Sequence, residues 1–207
     1  MGFGWFLVGY FFVSVMSLYS PLSFAMLAGY PMMIFGLWQL APYQRYFRAS
    51  FFFSLLSLPF ALYYALYGLG QLGFSLPTVN GIFATVEWIY FAFSVMFTAL
   101  WLFAILSLCR ELRHEMLLGR AVRSLFLFAA THLLDLIARL PIGFVQANAG
   151  YFVLPVLLGR LLLIFLNLYL IYGCYRYICP EGEEFSHLQA EGEIEKMKDQ
   201  AKEGKGE

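Results

Sequence analysis

The first 41 residues contain no Asp, Glu, Lys, Arg or His. A membrane-spanning helix needs about 20 predominantly apolar residues, so this stretch has the length of two crossings if something interrupts it. Ser20-Pro21 supplies the interruption. Serine is a good helix N-cap and proline suits the first helical position, which predicts a first helix near 3–18 and a second near 21–40. Further apolar runs cover roughly 47–68, 81–109, 118–140 and 151–178. In hydrocarbon a helix satisfies all its own backbone hydrogen bonds, whereas an open sheet edge does not. The expectation is an all-α integral membrane protein, a bundle of six transmembrane helices. The alternative is five spans plus an interfacial or re-entrant N-terminal helix, because the first helix is short.

Composition agrees. The 207 residues are 61% hydrophobic and 13% charged, against about 45–50% apolar and about 25% charged in a soluble domain. So much chain is committed to hydrocarbon that no sizeable soluble catalytic domain fits. The formal net charge of zero conceals two opposed parts. Residues 1–179, the polytopic transmembrane domain, carry nine Arg and no Lys against Glu87, Glu111, Glu115 and Asp135, which leaves +5. Residues 180–207 carry four Lys against nine acids, which leaves −5. That tail reads as a solvated cytosolic segment, and its acidity argues against nucleic acid as a partner.

The uncharged loops and the arginine-bearing loops alternate. Arg45 and Arg48 follow the second run, and Arg110, Arg113, Arg120 and Arg123 lie between the fourth and fifth, while the segments GLGQLGFSLPTVNG and PIGFVQANAG carry no charge. The positive-inside rule then places both arginine loops, Arg176 and the tail in the cytoplasm. Six crossings with both termini inside are mutually consistent. The N-terminus lacks the basic region of a cleavable signal peptide, so residues 1–18 are expected in the mature protein. Cys109, Cys174 and Cys179 form no close CxxC pair and read as reduced thiols near the cytosolic side.

The second span and its exit, PLSFAMLAGYPMMIFGLWQLAPYQRYFRA, with Pro21, Gly29-Tyr30, Gly36-Leu37, Leu40 and Phe47, resembles a pattern in uncharacterised multi-pass membrane proteins of Gram-positive bacteria. The resemblance covers about the first quarter of the chain. It implies a bacterial cell-membrane setting and brings no mechanism.

Three ionisable side chains sit inside the fifth run, in THLLDLIARL: His132, Asp135 and Arg139. At about 100° per residue they fall near 0°, 300° and 340°, a single stripe. Asp135 precedes Arg139 by four residues, the favourable order for an ion pair on one helix. At about 1.5 Å per residue, Asp135 lies about 9 Å in from an outer end near Pro141 and His132 about 14 Å, while Arg160 is about 14 Å from Tyr151 and Glu87 about 9 Å from Gly81. A lone charge at the centre of a spanning helix costs about 2.5–3.5 kcal/mol, so charges at similar depths on three consecutive spans are expected to converge. Glu87, Asp135, Arg139 and Arg160 are therefore the candidate ligand- or ion-binding residues, with His132 at the floor of the site and Asn167 extending it inward.

The competing reading is structural: Asp135 pairs with Arg139, Glu87 with Arg160, and His132 bonds a backbone carbonyl. Arg139 could instead snorkel to the outer surface. In the functional reading an arginine fork too deep to snorkel suits a small anionic or zwitterionic solute. No HExxH, GxSxG, paired GxGxxG or Walker loop occurs, so no cofactor, metal or catalytic residue is assigned. Three function classes follow: a small transporter or permeation protein, a non-catalytic membrane subunit or sensor whose partner is another membrane protein or a second copy, and a membrane-embedded enzyme.

Overall fold

The protein is represented by a computed structural model that describes residues 2–18, 20–72, 83–140, 143 and 149–178. Among these residues every regular element is helical: α1 Gly2–Ser14, α2 Met26–Leu40, α3 Arg45–Leu56, α4 Leu58–Gln71, α5 Phe83–Glu111, α6 Glu115–Arg139 and α7 Ala149–Ile178. The acidic tail, Cys179, and the expected helix ends at Gly81 and Pro141 lie outside the described residues.

Four stretches are long and apolar enough to cross a membrane: Leu22–Leu40, Thr85–Glu111, Glu115–Arg139 and Gly150–Ile178. A fifth candidate is the pair α3 and α4, bent by 42° at their junction. The expected run 47–68 is thus two helices. Its bend has local causes, since Pro59 cannot donate to the preceding turn and the hydroxyls of Ser50, Ser54 and Ser57 bond back to the carbonyls of Tyr46, Phe51 and Phe53.

The N-terminal region also differs from the expected pair of helices at 3–18 and 21–40. The first helix stops at Ser14, and Met16–Leu18 and Ser20–Ala25 are 3-10 segments, so the second α-helix begins only at Met26. Ser20-Pro21 breaks the chain as expected but does not cap α2, whose first turn follows Ala25 without a side-chain cap. At 13 residues α1 is shorter than a full span.

Apolar side chains from α1, α2, α3, α5, α6 and α7 share one core, with Phe3, Phe6, Phe47, Trp101 and Leu117 wholly buried. The aromatic side chains pack edge-on, as in Phe6 against Trp101 at 5.5 Å between ring centres. Leu154, Leu158, Leu162, Phe165, Tyr169 and Tyr172 are all exposed and recur every three or four residues along α7. A contiguous apolar stripe of this kind is unsuited to water and suits a lipid-facing surface. Arg160 and Asn167 lie on the other side of that helix.

Cys109 and Cys174 are buried in the core and form no disulfide. At the same end of the bundle, His114 caps α6 by accepting the amide of Leu117, and Arg113 beside it takes a left-handed backbone with φ of 51°. Arg120 leaves the water-facing end to lie over the ring of Tyr169 at 4.2 Å. The arginines expected to define one face, Arg45, Arg48, Arg110, Arg113, Arg123 and Arg176, are exposed.

Candidate functional site

Helices α5, α6 and α7 bring four of the five candidate residues into a continuous chain of ion pairs. Arg160 of α7 donates through Nη2 to Asp135 Oδ2 on α6. Arg139 donates through Nε to Asp135 Oδ1 at 3.1 Å and through Nη1 to Glu87 Oε1 of α5 at 3.0 Å. The order is Arg160, Asp135, Arg139, Glu87, with charge alternating along it.

Each link has a geometric reason. The i,i+4 spacing aligns Asp135 under Arg139 on one face of α6. Arg160 begins deeper, eleven residues into α7, or about 16 Å. Side chains on a helix tilt toward its N-terminus, which for α7 is the end holding the site, so the long Arg160 side chain reaches up while Asp135 on antiparallel α6 tilts down to meet it. Gly159 permits the approach: a Cβ there would lie 2.9 Å from Thr131 Oγ1 of α6.

The pairing differs from the structural reading of the sequence in one link. Glu87 engages Arg139, not Arg160. Arg139 therefore does not snorkel outward; its guanidinium also lies 4.8 Å from the ring centre of Phe91 and 5.8 Å from that of Trp88. The chain is buried in the middle and open at its ends. Side-chain exposure is 9% for Asp135 and 21% for Arg139, but 43% for Arg160 and 41% for Glu87.

His132 joins the same surface without joining the ion pairs. Its Nδ1–H donates to the Phe128 carbonyl at 2.9 Å, and its ring packs on Phe128 and Phe91 at 4.4 and 6.1 Å.

All five residues line a cavity of about 500 Å³ that the sequence did not reveal. Its opposite wall is rich in phenol groups, contributed by α1, α2, α4 and α5. Tyr30 and Tyr90 share a hydrogen bond of 3.2 Å, and the ring of Tyr64 lies 4.9 Å from that of Tyr90. Ser94 and Thr98 of α5 add hydroxyls between the two walls. At the inner end, Tyr10 of α1 lines the cavity and accepts a 2.8 Å hydrogen bond from Asn167 Nδ2. Tyrosines scattered over four helices carry no sequence signal of convergence, because the rotation of each helix decides which way each ring points.

Among the described residues no group of three or more His, Cys, Asp or Glu side chains could hold a metal ion. What the arrangement can do is hold polar matter. A cavity of this volume is within the range of small-molecule sites, which combine apolar and aromatic walls with a few placed polar groups. Comparisons with protein-family models, curated proteins and solved structures return no match.

Proposed function

We propose that this chain is a small transporter or permeation protein that binds a zwitterionic solute at the Glu87, Asp135, Arg139 and Arg160 chain. The observation that carries the reading is the opposition of buried middle and open ends. Asp135 has both oxygens engaged and keeps the two arginines in place, whereas Arg160 and Glu87 present a partly exposed cation and a partly exposed anion to one cavity. A guanidinium fork with unused donors suits the solute's carboxylate. Glu87 has an oxygen available for an ammonium group. The phenol and hydroxyl wall solvates the remainder of the ligand.

The same reading takes α1 and the bent α3–α4 pair as crossings, for six in all. It sets the arginine-rich end and both termini in the cytoplasm of a bacterial cell and opens the charged site outward, as the positive-inside rule favours.

A second reading has one specific observation in its favour. The four charges neutralise one another, so they could serve only to lock α5, α6 and α7 together. Cysteine accessibility separates the two. Ser94→Cys and Thr98→Cys are introduced singly with the native cysteines replaced by alanine, and intact cells receive a small membrane-impermeant thiol reagent. Reaction at both positions, slowed by Arg160→Gln-sensitive addition of zwitterionic amino acids, is the expected result. Protection from reagent at both positions in a folded protein overturns the solute site and leaves the structural reading.

A further inference from the structure

The exposed apolar stripe of α7 ends in a cation. Leu154, Leu158, Leu162, Phe165, Tyr169 and Tyr172 line one side of the helix. At about 100° per residue, Arg176, seven residues beyond Tyr169, falls within about 20° of the same line, and it too is exposed. On α6, Arg120 lies against this helix. Its guanidinium stacks on Tyr169 at 4.2 Å, and a Cβ added at Gly173 would lie 3.1 Å from its Nη1, so the glycine leaves the room that the arginine occupies. Arg123, about 60° round α6 from Arg120, is exposed. Its side chain tilts back toward the start of the helix, the level at which Arg120 sits.

Protein groups do little to neutralise these arginines. Arg120 Nη2 donates to Met116 Sδ at 3.4 Å, a weak acceptor. Among the described residues every ion pair belongs to the Glu87, Asp135, Arg139 and Arg160 chain. Of the two described acids at this end, Glu111 accepts from Gln44, and Glu115 lies about 140° round α6 from Arg120. A guanidinium beside lipid without a counter-ion is costly, and the phosphate of a lipid headgroup is the anion that the bilayer itself supplies at its boundary.

We propose that an anionic phospholipid docks where α6 meets α7, its phosphate held by Arg120 and Arg176 with Arg123 beside them, and an acyl chain lying along the α7 stripe. Guanidinium forks suit phosphate oxygens. From Phe165 to Leu154 the stripe runs about 16 Å, close to the half-thickness of a hydrocarbon core of about 30 Å. The competing anion is the chain's own acidic segment, residues 180–207. That segment must reach back from Ile178, whereas the Arg120 guanidinium lies at Tyr169, nine residues or about 14 Å inward along α7, beside side chains that face lipid. A lipid matches both the cations and the stripe; a hydrated acidic segment matches only the cations. The docking surface is separate from the charged cavity and stands whether or not that cavity carries a solute.

Native mass spectrometry of the full chain in mild detergent resolves single lipid-binding events. Dioleoyl phosphatidylglycerol and dioleoyl phosphatidylcholine are titrated separately, which matches the acyl chains and varies the headgroup charge. The first phosphatidylglycerol is expected to bind at least about fivefold more tightly, the factor that one arginine near an anionic surface represents. Arg120→Gln and Arg176→Gln should each remove about that factor for phosphatidylglycerol and leave phosphatidylcholine unchanged. Arg45→Gln, at the same end but on α3, should change neither. Thermal unfolding without added lipid checks that each variant is folded. Equal affinity of the two lipids for the unsubstituted protein overturns the proposal, with no variant needed, and so does a preference that survives both Arg120→Gln and Arg176→Gln at full strength. The full chain carrying Glu181→Gln, Glu183→Gln and Glu184→Gln should bind phosphatidylglycerol as the unsubstituted chain does. A gain of about fivefold or more in that variant would make the acidic segment the occupant and overturn the lipid.

Discussion

Glu87 and Arg139, 52 residues apart in the chain, meet at 3.0 Å, and through Arg139 the start of α5 is tied to the end of α6. Arg139 is thereby shared between a carboxylate on its own helix and one on its neighbour. One guanidinium can do this because its donors lie in a rigid plane and leave in different directions. The consequence is an order of importance: Asp135, which holds two arginines, supports the whole chain, and Glu87 supports one end.

Substituting Asp135 is accordingly the most damaging single change in the site. Breaking a buried pair by removing one partner costs about 3–5 kcal/mol; partial exposure of Arg160 softens this, and Asp135→Asn is expected to cost about 2–3 kcal/mol. Glu87→Gln, at a half-open position, should cost about 1 kcal/mol or less. Asp135→Asn combined with Arg160→Gln should recover part of the loss, since neither charge is then stranded. Thermal unfolding in mild detergent gives the order directly, and a Glu87 variant weaker than the Asp135 variant would contradict it.

The stripe on α6 was legible because helical periodicity and depth along the helix are both carried by residue spacing. Convergence of three spans followed from the cost of isolated charge, and Asp135 does meet Arg160. The pairing of Glu87 was not legible, because depth fixes a residue's level and says nothing of how its helix is rotated. The bend at Ser57 was obscured by apolar residues running through it, although Pro59 and the three serines were the available signal. The tight pairing of α1 with α2 had a signal too: Gly2 and Gly9, and Gly29 and Gly36, are each seven residues apart. Gly29 and Gly36 are both buried.

At the α1–α2 contact an alanine methyl has no room. A Cβ at Gly36 would lie 2.6 Å from the Phe6 amide nitrogen and 2.7 Å from the Gly2 carbonyl oxygen, both backbone atoms that cannot swing aside. Gly36→Ala is expected to destabilise by about 1–3 kcal/mol through overpacking. Gly119, also helical, has nothing within 4 Å of its Cβ position, so Gly119→Ala should be neutral or stabilising by up to about 1 kcal/mol. Equal melting shifts for the two variants would show that α1 does not sit this closely on α2.

His132 should tolerate replacement by phenylalanine. Its ring is held by aromatic neighbours, and the Phe128 carbonyl it bonds also sits within the helical ladder. His132→Phe is expected to change stability by less than about 1 kcal/mol, the net worth of one hydrogen bond. Labelling of Thr98→Cys should be unchanged in the same background. A collapse of either readout would assign His132 a part in the ion-pair chain that its contacts do not indicate.

The wall facing the charges makes a separate prediction. Tyr30 on α2 is almost wholly buried and its hydroxyl shares a hydrogen bond with that of Tyr90 on α5. Tyr30→Phe keeps the ring and removes the shared atom, at a cost of about 1 kcal/mol, and Tyr90→Phe should cost a similar amount. Because the two singles delete the same bond, the double variant should cost less than their sum, with a coupling of about 0.5–1.5 kcal/mol in a double-mutant cycle. Strict additivity in unfolding measurements would mean that the two phenols do not bond each other within that wall. Retention of the protection that zwitterionic amino acids give Ser94→Cys in the double variant would further place the solute's main attachment on the opposite wall, at Arg160 and Glu87.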